Sequence, residues 1–346
     1  LHKTIDLRSD TVTRPTPEMR MMMANAEVGD DVFDDDPTVH RLQEKAAALL
    51  GKDSALFVPT GTMGNAVAFL THTRAGDEVL LDAKAHSMCY EVGMPGAIAH
   101  VVTRTFHSVR GVPDVADVIS QIGKADLHRP GTSLLVLENT HNLAGGAIIP
   151  LQTLQALFRE AGRRGVRVHM DGARLFNAVV GSGTPVAEIA SAANSVTFCL
   201  SKGLGCPVGS VLCGDREFID RARRNRKMLG GGMRQTGILA AAGIYALDHH
   251  IERLEIDHRN AQQLAAAIEG VPGIHVSLAD VQTNMIYFST DFSAGDFARR
   301  LEAEKHVRAI AMGPQLIRMV THLDVDSEDM LVAAAAIRET ATAMAV

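Results

Sequence analysis

Before about residue 250, short apolar runs rich in β-branched residues recur along the chain, each followed by a turn with Gly or Asp and then an amphipathic stretch. That alternation is the sequence form of βαβ units. It predicts strands at 55–58, 78–81, 100–103, 134–137, 166–170, 196–200 and 210–213. Most of these runs lack polar alternation, so they belong in a parallel or mostly parallel sheet covered by helices on both faces. Helical periodicity over 38–50 and 151–164 closes each time on a glycine, Gly51 and Gly165, where a C-cap is expected. From about 251 the texture changes to a long amphipathic helix ending near 269, a Pro272-Gly273 turn, strands near 274–278 and 285–289, a helix, a strand at 316–320 and a closing helix. The chain therefore divides into a large α/β domain, 1–250, and a small α+β domain, 251–346. The first 35 residues, counted with the large domain, are irregular and acidic; Asp30, Asp31, Asp34, Asp35 and Asp36 read as a solvated loop.

With 46% hydrophobic and 21% charged residues, 346 residues bury a full core. The net charge of -6 gives no basic field to draw in nucleic acid or an anionic membrane. The longest apolar run, 237–247, falls short of a membrane span, and residues 1–6 lack a secretory apolar region, so a cytoplasmic location is expected. Cys89, Cys199, Cys206 and Cys213 form no CxxC pair, and neither a disulfide framework nor a metal site is expected of them.

In open α/β sheets ligands bind beyond the carboxyl ends of the strands, so the polar residues just past each run carry the candidate chemistry. After 55–58 come Pro59-Thr60-Gly61-Thr62-Met63-Gly64-Asn65, leading into a helix that begins near Ala66. Backbone N–H groups, hydroxyls and a positive helix end suit a phosphate there, although a plain turn with an N-cap reads the same. The strand at 166–170 runs into Asp171-Gly172-Ala173-Arg174. A carboxylate at a buried strand end needs a cation or a protonated ring nitrogen; Arg174 or the next helix would also serve. His169, inside that strand, reads as a core histidine. The strand at 196–200 runs into Ser201-Lys202-Gly203-Leu204-Gly205, where desolvation favours the neutral, nucleophilic amine of a Schiff-base lysine. The alternative is an ammonium that snorkels to water. His86 and His128 are each placed after a predicted strand, and either suits proton transfer near neutral pH. His141, in Glu138-Asn139-Thr140-His141-Asn142, has no assigned role.

A phosphate-binding turn, a strand-end carboxylate and a strand-end lysine on one sheet together match pyridoxal 5′-phosphate, whose phosphate, pyridine nitrogen and aldehyde call for those groups. Their order is that of the aspartate-aminotransferase-like fold, fold type I among pyridoxal-phosphate enzymes.

Longer motifs sharpen this reading: Ile5-Asp6-Leu7-Arg8-Ser9-Asp10-Thr11-Val12-Thr13, Gly29-Asp30-Asp31-Val32, Phe57-Val58-Pro59-Thr60-Gly61-Thr62, Glu138-Asn139-Thr140-His141-Asn142, Asp171-Gly172-Ala173-Arg174, Cys199-Leu200-Ser201-Lys202-Gly203-Leu204-Gly205, Gly230-Gly231-Gly232-Met233-Arg234-Gln235 and Leu316-Ile317-Arg318-Met319-Val320-Thr321-His322. Nearly end to end, the sequence resembles the low-specificity L-threonine aldolases, or L-allo-threonine aldolases, of the β-eliminating-lyase group. The resemblance implies retro-aldol cleavage of L-threonine, L-allo-threonine and other β-hydroxy-α-amino acids such as phenylserine to glycine and an aldehyde. It implies that Lys202 bonds the cofactor, Asp171 pairs with its ring nitrogen, His86 stacks on the ring, and Thr60, Gly61 and Thr62 hold the phosphate. Arg234 would reach that phosphate from a neighbouring subunit, in a homo-oligomer expected to be a tetramer built as a dimer of dimers. Ser9, Arg174 and Arg318 would bind the substrate carboxylate, with Arg174 also among the cofactor's contacts. His86 and His128 both stand as candidates for the β-hydroxyl proton.

The basic stretch 216–227 would suit phosphate contacts in a nucleic-acid binder, but no aromatic platform accompanies it, and a solvated or subunit-contacting helix is expected. One departure from the family stands out: Phe33-Asp34 replaces its usual Tyr-Gly, removing a phenol and a glycine's backbone freedom. Two other readings share parts of this pattern. Another pyridoxal-phosphate lyase or a racemase would use the same cofactor site, and a binding protein on this fold would need another reason for Lys202 beside Asp171.

Overall fold

The computed structural model describes residues 3–344. After a two-residue strand, β1 (Ile5–Asp6), seven strands build the central sheet: β2 (Ser54–Val58), β3 (Glu78–Asp82), β4 (Val102–Phe106), β5 (Thr132–Glu138), β6 (Arg167–Gly172), β7 (Ser195–Cys199) and β8 (Ser210–Gly214). Their order across the sheet is β2-β8-β7-β6-β5-β3-β4, parallel except for β8, which pairs antiparallel with both β2 and β7. Every residue of β3, β7 and β8 is buried, as runs without polar alternation require. The edge strand β4 alternates exposed and covered positions, and it begins two residues later than its apolar start suggests. Helices such as Pro37–Leu50 and Leu151–Gly162 pack onto this sheet through Leu42, Ala46, Leu154 and Leu157.

A second sheet follows in the C-terminal part. β9 (Ile274–Val276), β10 (Met285–Thr290), β12 (Ile310–Gly313) and β13 (Leu316–Val320) lie antiparallel in the order β12-β13-β10-β9, with the helices Leu254–Ile268, Ala294–Lys305 and Ser327–Met344 completing the unit. Between them, β11 (Val307–Arg308) pairs parallel with β1, Ile5 opposite Val307. Ile5 and Leu7 accordingly bury in the C-terminal core.

The acidic N-terminal run is a solvated loop only in part: Asp34 and Asp35 are exposed, whereas Asp31 and Asp36 are buried. Asp36 is fully buried, accepting from the N–H groups of Thr38 and Val39 at a helix start and from that of Gly237. Asp31 meets Arg226 at 2.6 Å with both side chains almost inaccessible. Two ion pairs, Asp31–Arg226 and Asp34–Arg223, therefore join the acidic run to the helix Arg216–Met228, while Arg216, Arg221, Arg224 and Lys227 of that helix face water. Asp34 takes φ +67°, the conformation a glycine adopts freely, and its carboxylate is held by His40 and Arg223. The Phe33-Asp34 departure thus leaves a left-handed turn at this loop. Among the described residues no helix is long and apolar enough to cross a membrane.

Candidate active site

β3, β5, β6 and β7 end on the same edge of the sheet, and they bring Asp82, Glu138, Asp171 and the approach to Lys202 there. β2 reaches that edge as well. The helix after it spans Gly61–His72, starting at Gly61 and not near Ala66, so the Gly/Thr stretch is the first turn of a helix. Thr60 Oγ1 accepts the Met63 N–H at 3.1 Å. Among the described residues no acceptor takes the N–H of Gly61 or Thr62, which leaves a helix N-terminus with free donors and its dipole behind them. Space keeps Gly61 bare: a Cβ would stand 2.7 Å from Cys199 Sγ and 3.5 Å from Ser210 Oγ.

Behind this turn, one amide serves two acids. Asn65 Nδ2 donates to Asp171 Oδ2 and to Glu91 Oε1, both at 2.8 Å. Glu91 Oε1 also lies 3.0 Å from His86 Nδ1. Burial pushes the Glu91 carboxyl above the usual range, helped by the Asp171 charge. Burial alone would lower the pKa of His86, but the Glu91 bond and Asp171 outweigh it and hold it above that of a free histidine. The ligating atoms of His86, Glu91 and Asp171 lie within 4.8 Å of one another, close enough for a metal ion, but protein N–H groups already point at both acids.

Lys202, His86, Ser9, Arg174 and Arg318 line one cleft of about 300 Å³, with Tyr90, Ile310 and Met312 forming its apolar wall. Lys202 is half-buried, and its backbone carbonyl is fixed by Thr13 Oγ1 at 3.0 Å and the Gly205 N–H at 2.9 Å. The two arginines differ. Arg174 gives Nε and Nη2 to Asp10 at 2.7 and 2.6 Å, a buried bidentate pair. Burial opposes the Asp10 charge, yet Arg174 and then Lys202 pull its pKa down to about 2. Only the Nη1 side of Arg174 is left for the cleft. Arg318 bonds Asn142 Oδ1 through Nη1 and Arg8 C=O through Nη2, and its buried Nε has no partner. Ser9 caps the turn Asp10–Val12, accepting from the Thr11 N–H.

Two expected residues are elsewhere. His128 lies in the connection between the helix Val115–Ser120 and β5, not at the end of a strand; it is exposed and outside the cleft. Arg234 is 56% exposed and pairs with Asp30 at 3.0 Å. Conversely, the sequence offered no role for Asp10, Asn65, Glu91 or Asn142. Asp10, Asn65 and Asn142 stand inside quoted motifs, but the partners Arg174, Asp171 and Arg318 lie far away in the chain. His141 is buried 3.7 Å from Asp82.

The donor set fits pyridoxal 5′-phosphate: free N–H groups at a turn kept clear of side chains, an acid fixed by an amide, and a lysine at the mouth of the same edge. The β-eliminating lyase family model matches residues 6–291. The chain is 43% identical over 333 residues to the low specificity L-threonine aldolase of Escherichia coli (strain K12), covering 96% of this chain and 97% of that protein. It is 42% identical over 336 residues to the low-specificity L-threonine aldolase 1 of Arabidopsis thaliana, covering 95% and 94%. In fold it is similar to the solved threonine aldolase of Leishmania major, with a TM-score of 0.82, 19% identity, and 97% and 99% of the two chains covered.

Proposed function

The chain belongs to the β-eliminating lyase family, and on that footing we propose that it is a pyridoxal-phosphate-dependent threonine aldolase. It cleaves L-threonine and L-allo-threonine, and related β-hydroxy-α-amino acids, to glycine and an aldehyde. The observation that carries the reading is that Arg174 and Arg318 line the same cleft as Lys202. Two guanidinium groups beside a strand-end lysine suit an α-carboxylate.

The N–H groups of Gly61 and Thr62 and the Thr60 turn would hold the cofactor phosphate, Asp171 the ring nitrogen, His86 the ring face, and Lys202 the covalent link. When bound, pyridoxal phosphate supplies the electron sink for the pair left on Cα. Arg318, the Nη1 side of Arg174 and Ser9 grip the substrate carboxylate and so select which bond of Cα stands to break. With Nδ1–H donated to Glu91, His86 offers the lone pair of Nε2, the atom that takes the β-hydroxyl proton as the aldehyde leaves. His128 takes no part from within its own chain. Ile310 and Met312 give the substrate side chain an apolar wall, and weak discrimination at Cβ follows from the loose steric demand of such a wall.

We infer further that the working form is a homo-oligomer in which Arg234 serves the phosphate of a neighbouring copy. Phe33 and Met228, 72% and 67% exposed, give that side of the molecule apolar surface.

The test is release of acetaldehyde and glycine from L-threonine and L-allo-threonine, for this protein and for Lys202→Ala. One glycine per aldehyde, abolished in a folded Lys202→Ala, is expected; unimpaired release from that variant overturns the reading.

A further inference from the structure

The hydrogen bonds behind Asp171 continue through the sheet. Asn65 Oδ1 lies 3.2 Å from His169 Nε2, His169 Nδ1 lies 2.8 Å from Ser195 Oγ, and Ser195 Oγ lies 2.7 Å from His72 Nε2. Asn65, His169 and Ser195 are at most 2% exposed. We propose that His72, Ser195, His169 and Asn65 form a one-way hydrogen-bond chain that ends on Asp171, making them positioning residues for the cofactor's ring nitrogen. The proposal rests on the reading that Asp171 faces that nitrogen.

The direction follows from which atoms can only accept. Carboxylates only accept, so Asn65 must turn its amide N–H groups toward Glu91 and Asp171 and its oxygen toward His169. That oxygen demands a proton on His169 Nε2. Burial drives His169 to a pKa of about 4 and His72 to about 3, so each ring is neutral and carries one N–H. With its proton on Nε2, His169 presents a lone pair at Nδ1, which takes the hydroxyl proton of Ser195. Ser195 Oγ in turn accepts from His72 Nε2–H, and His72 is held against Phe218, ring centroids 4.4 Å apart and planes 24° from parallel. Every donor points the same way. Aligned dipoles in a buried chain reinforce one another, so the bond at the far end is stronger and the Asp171 carboxylate is held in one hydrogen-bonded orientation. An Asn65 without His169 behind it could rotate and present its oxygen to two acids. The residues come from one helix and two adjacent strands, with His169 directly opposite Ser195 in the sheet register, so the chain is built into secondary structure.

A merely structural network and a positioning one differ in what they do to the ring nitrogen. The experiment measures dissociation constants of the apoprotein for pyridoxal 5′-phosphate and for the analogue with carbon in place of the ring nitrogen. The wild type is expected to prefer the natural cofactor. His169→Leu removes the N–H that orients Asn65 and is expected to shrink that preference about tenfold. His169→Gln keeps an N–H at the corresponding place and is expected to restore most of it. Should His169→Leu fail to fold, Ser195→Ala breaks the same chain by removing one oxygen, and the preference is expected to fall in the same direction. A preference unchanged in the folded variants, with both ligands weakened alike or neither weakened, overturns the proposal. A wild type that binds the two ligands equally overturns the placement of Asp171 itself, and the proposal with it.

Discussion

At Arg318 the side chain is anchored by two protein carbonyl oxygens, from Asn142 and Arg8, and lines the cleft beside Lys202. Arg318→Ala is therefore expected to raise KM for L-threonine roughly ten- to a hundredfold, the worth of one or two charge-assisted bonds, and to leave cofactor binding intact. Steady-state kinetics with a cofactor titration checks both halves, and an unchanged KM removes Arg318 from the carboxylate site. Lys202 and Asp171 could be singled out in the sequence because each stands at or just past the end of a largely apolar run, where a charge is conspicuous. Asp10 was not, because its bidentate partner Arg174 is 164 positions away and nothing local marks the pair. Asn65 and Glu91 were equally silent, since their bonds run between different elements. His128 lies outside the cleft because it does not end a strand: it falls in the connection between the helix Val115–Ser120 and β5.

Elements showed the same split between local and distant causes. The buried strands β3, β5, β6 and β7 were readable to within one or two residues because both faces are covered, whereas β1 and β11, two residues each, carry too little pattern to read. The start of the Gly61–His72 helix was missed because Gly-Thr-Met-Gly reads as a turn. At that helix start, two effects of Gly61→Ala compete. Alanine gains at most about 1 kcal/mol of helix propensity, and less in a first turn. Its Cβ meets Cys199 Sγ at 2.7 Å, and overpacking of that kind costs about 1–3 kcal/mol. The clash wins, and it moves the N–H groups proposed for the phosphate. Gly61→Ala is expected to lose affinity for pyridoxal 5′-phosphate but not for pyridoxal, which lacks the phosphate; equal losses measured by equilibrium dialysis would take the phosphate away from this turn.

For the whole molecule, the proposed division of labour between copies has a direct check. If Arg234 serves a neighbour's phosphate, a mixed assembly of Lys202→Ala and Arg234→Ala chains contains some sites with both native residues. Co-expressed variants are then expected to regain turnover at limiting cofactor that neither variant shows alone. No recovery in assemblies shown by light scattering to be mixed would confine Arg234 to its own chain.

The pairing of β1 with β11 has a consequence for how such a protein comes into being. Ser9 and Asp10 follow a strand whose hydrogen-bond partner is Val307–Arg308, and Leu7 C=O accepts from the Val320 N–H. Ile5 and Leu7 must therefore wait, unpaired, until Val307–Arg308 and Val320 have been made. The sheet that carries Lys202 can form early, yet the wall of the cleft that holds Ser9 is laid down only when β1 and β11 meet. Synthesis of β11 sets the earliest moment at which the cleft is complete.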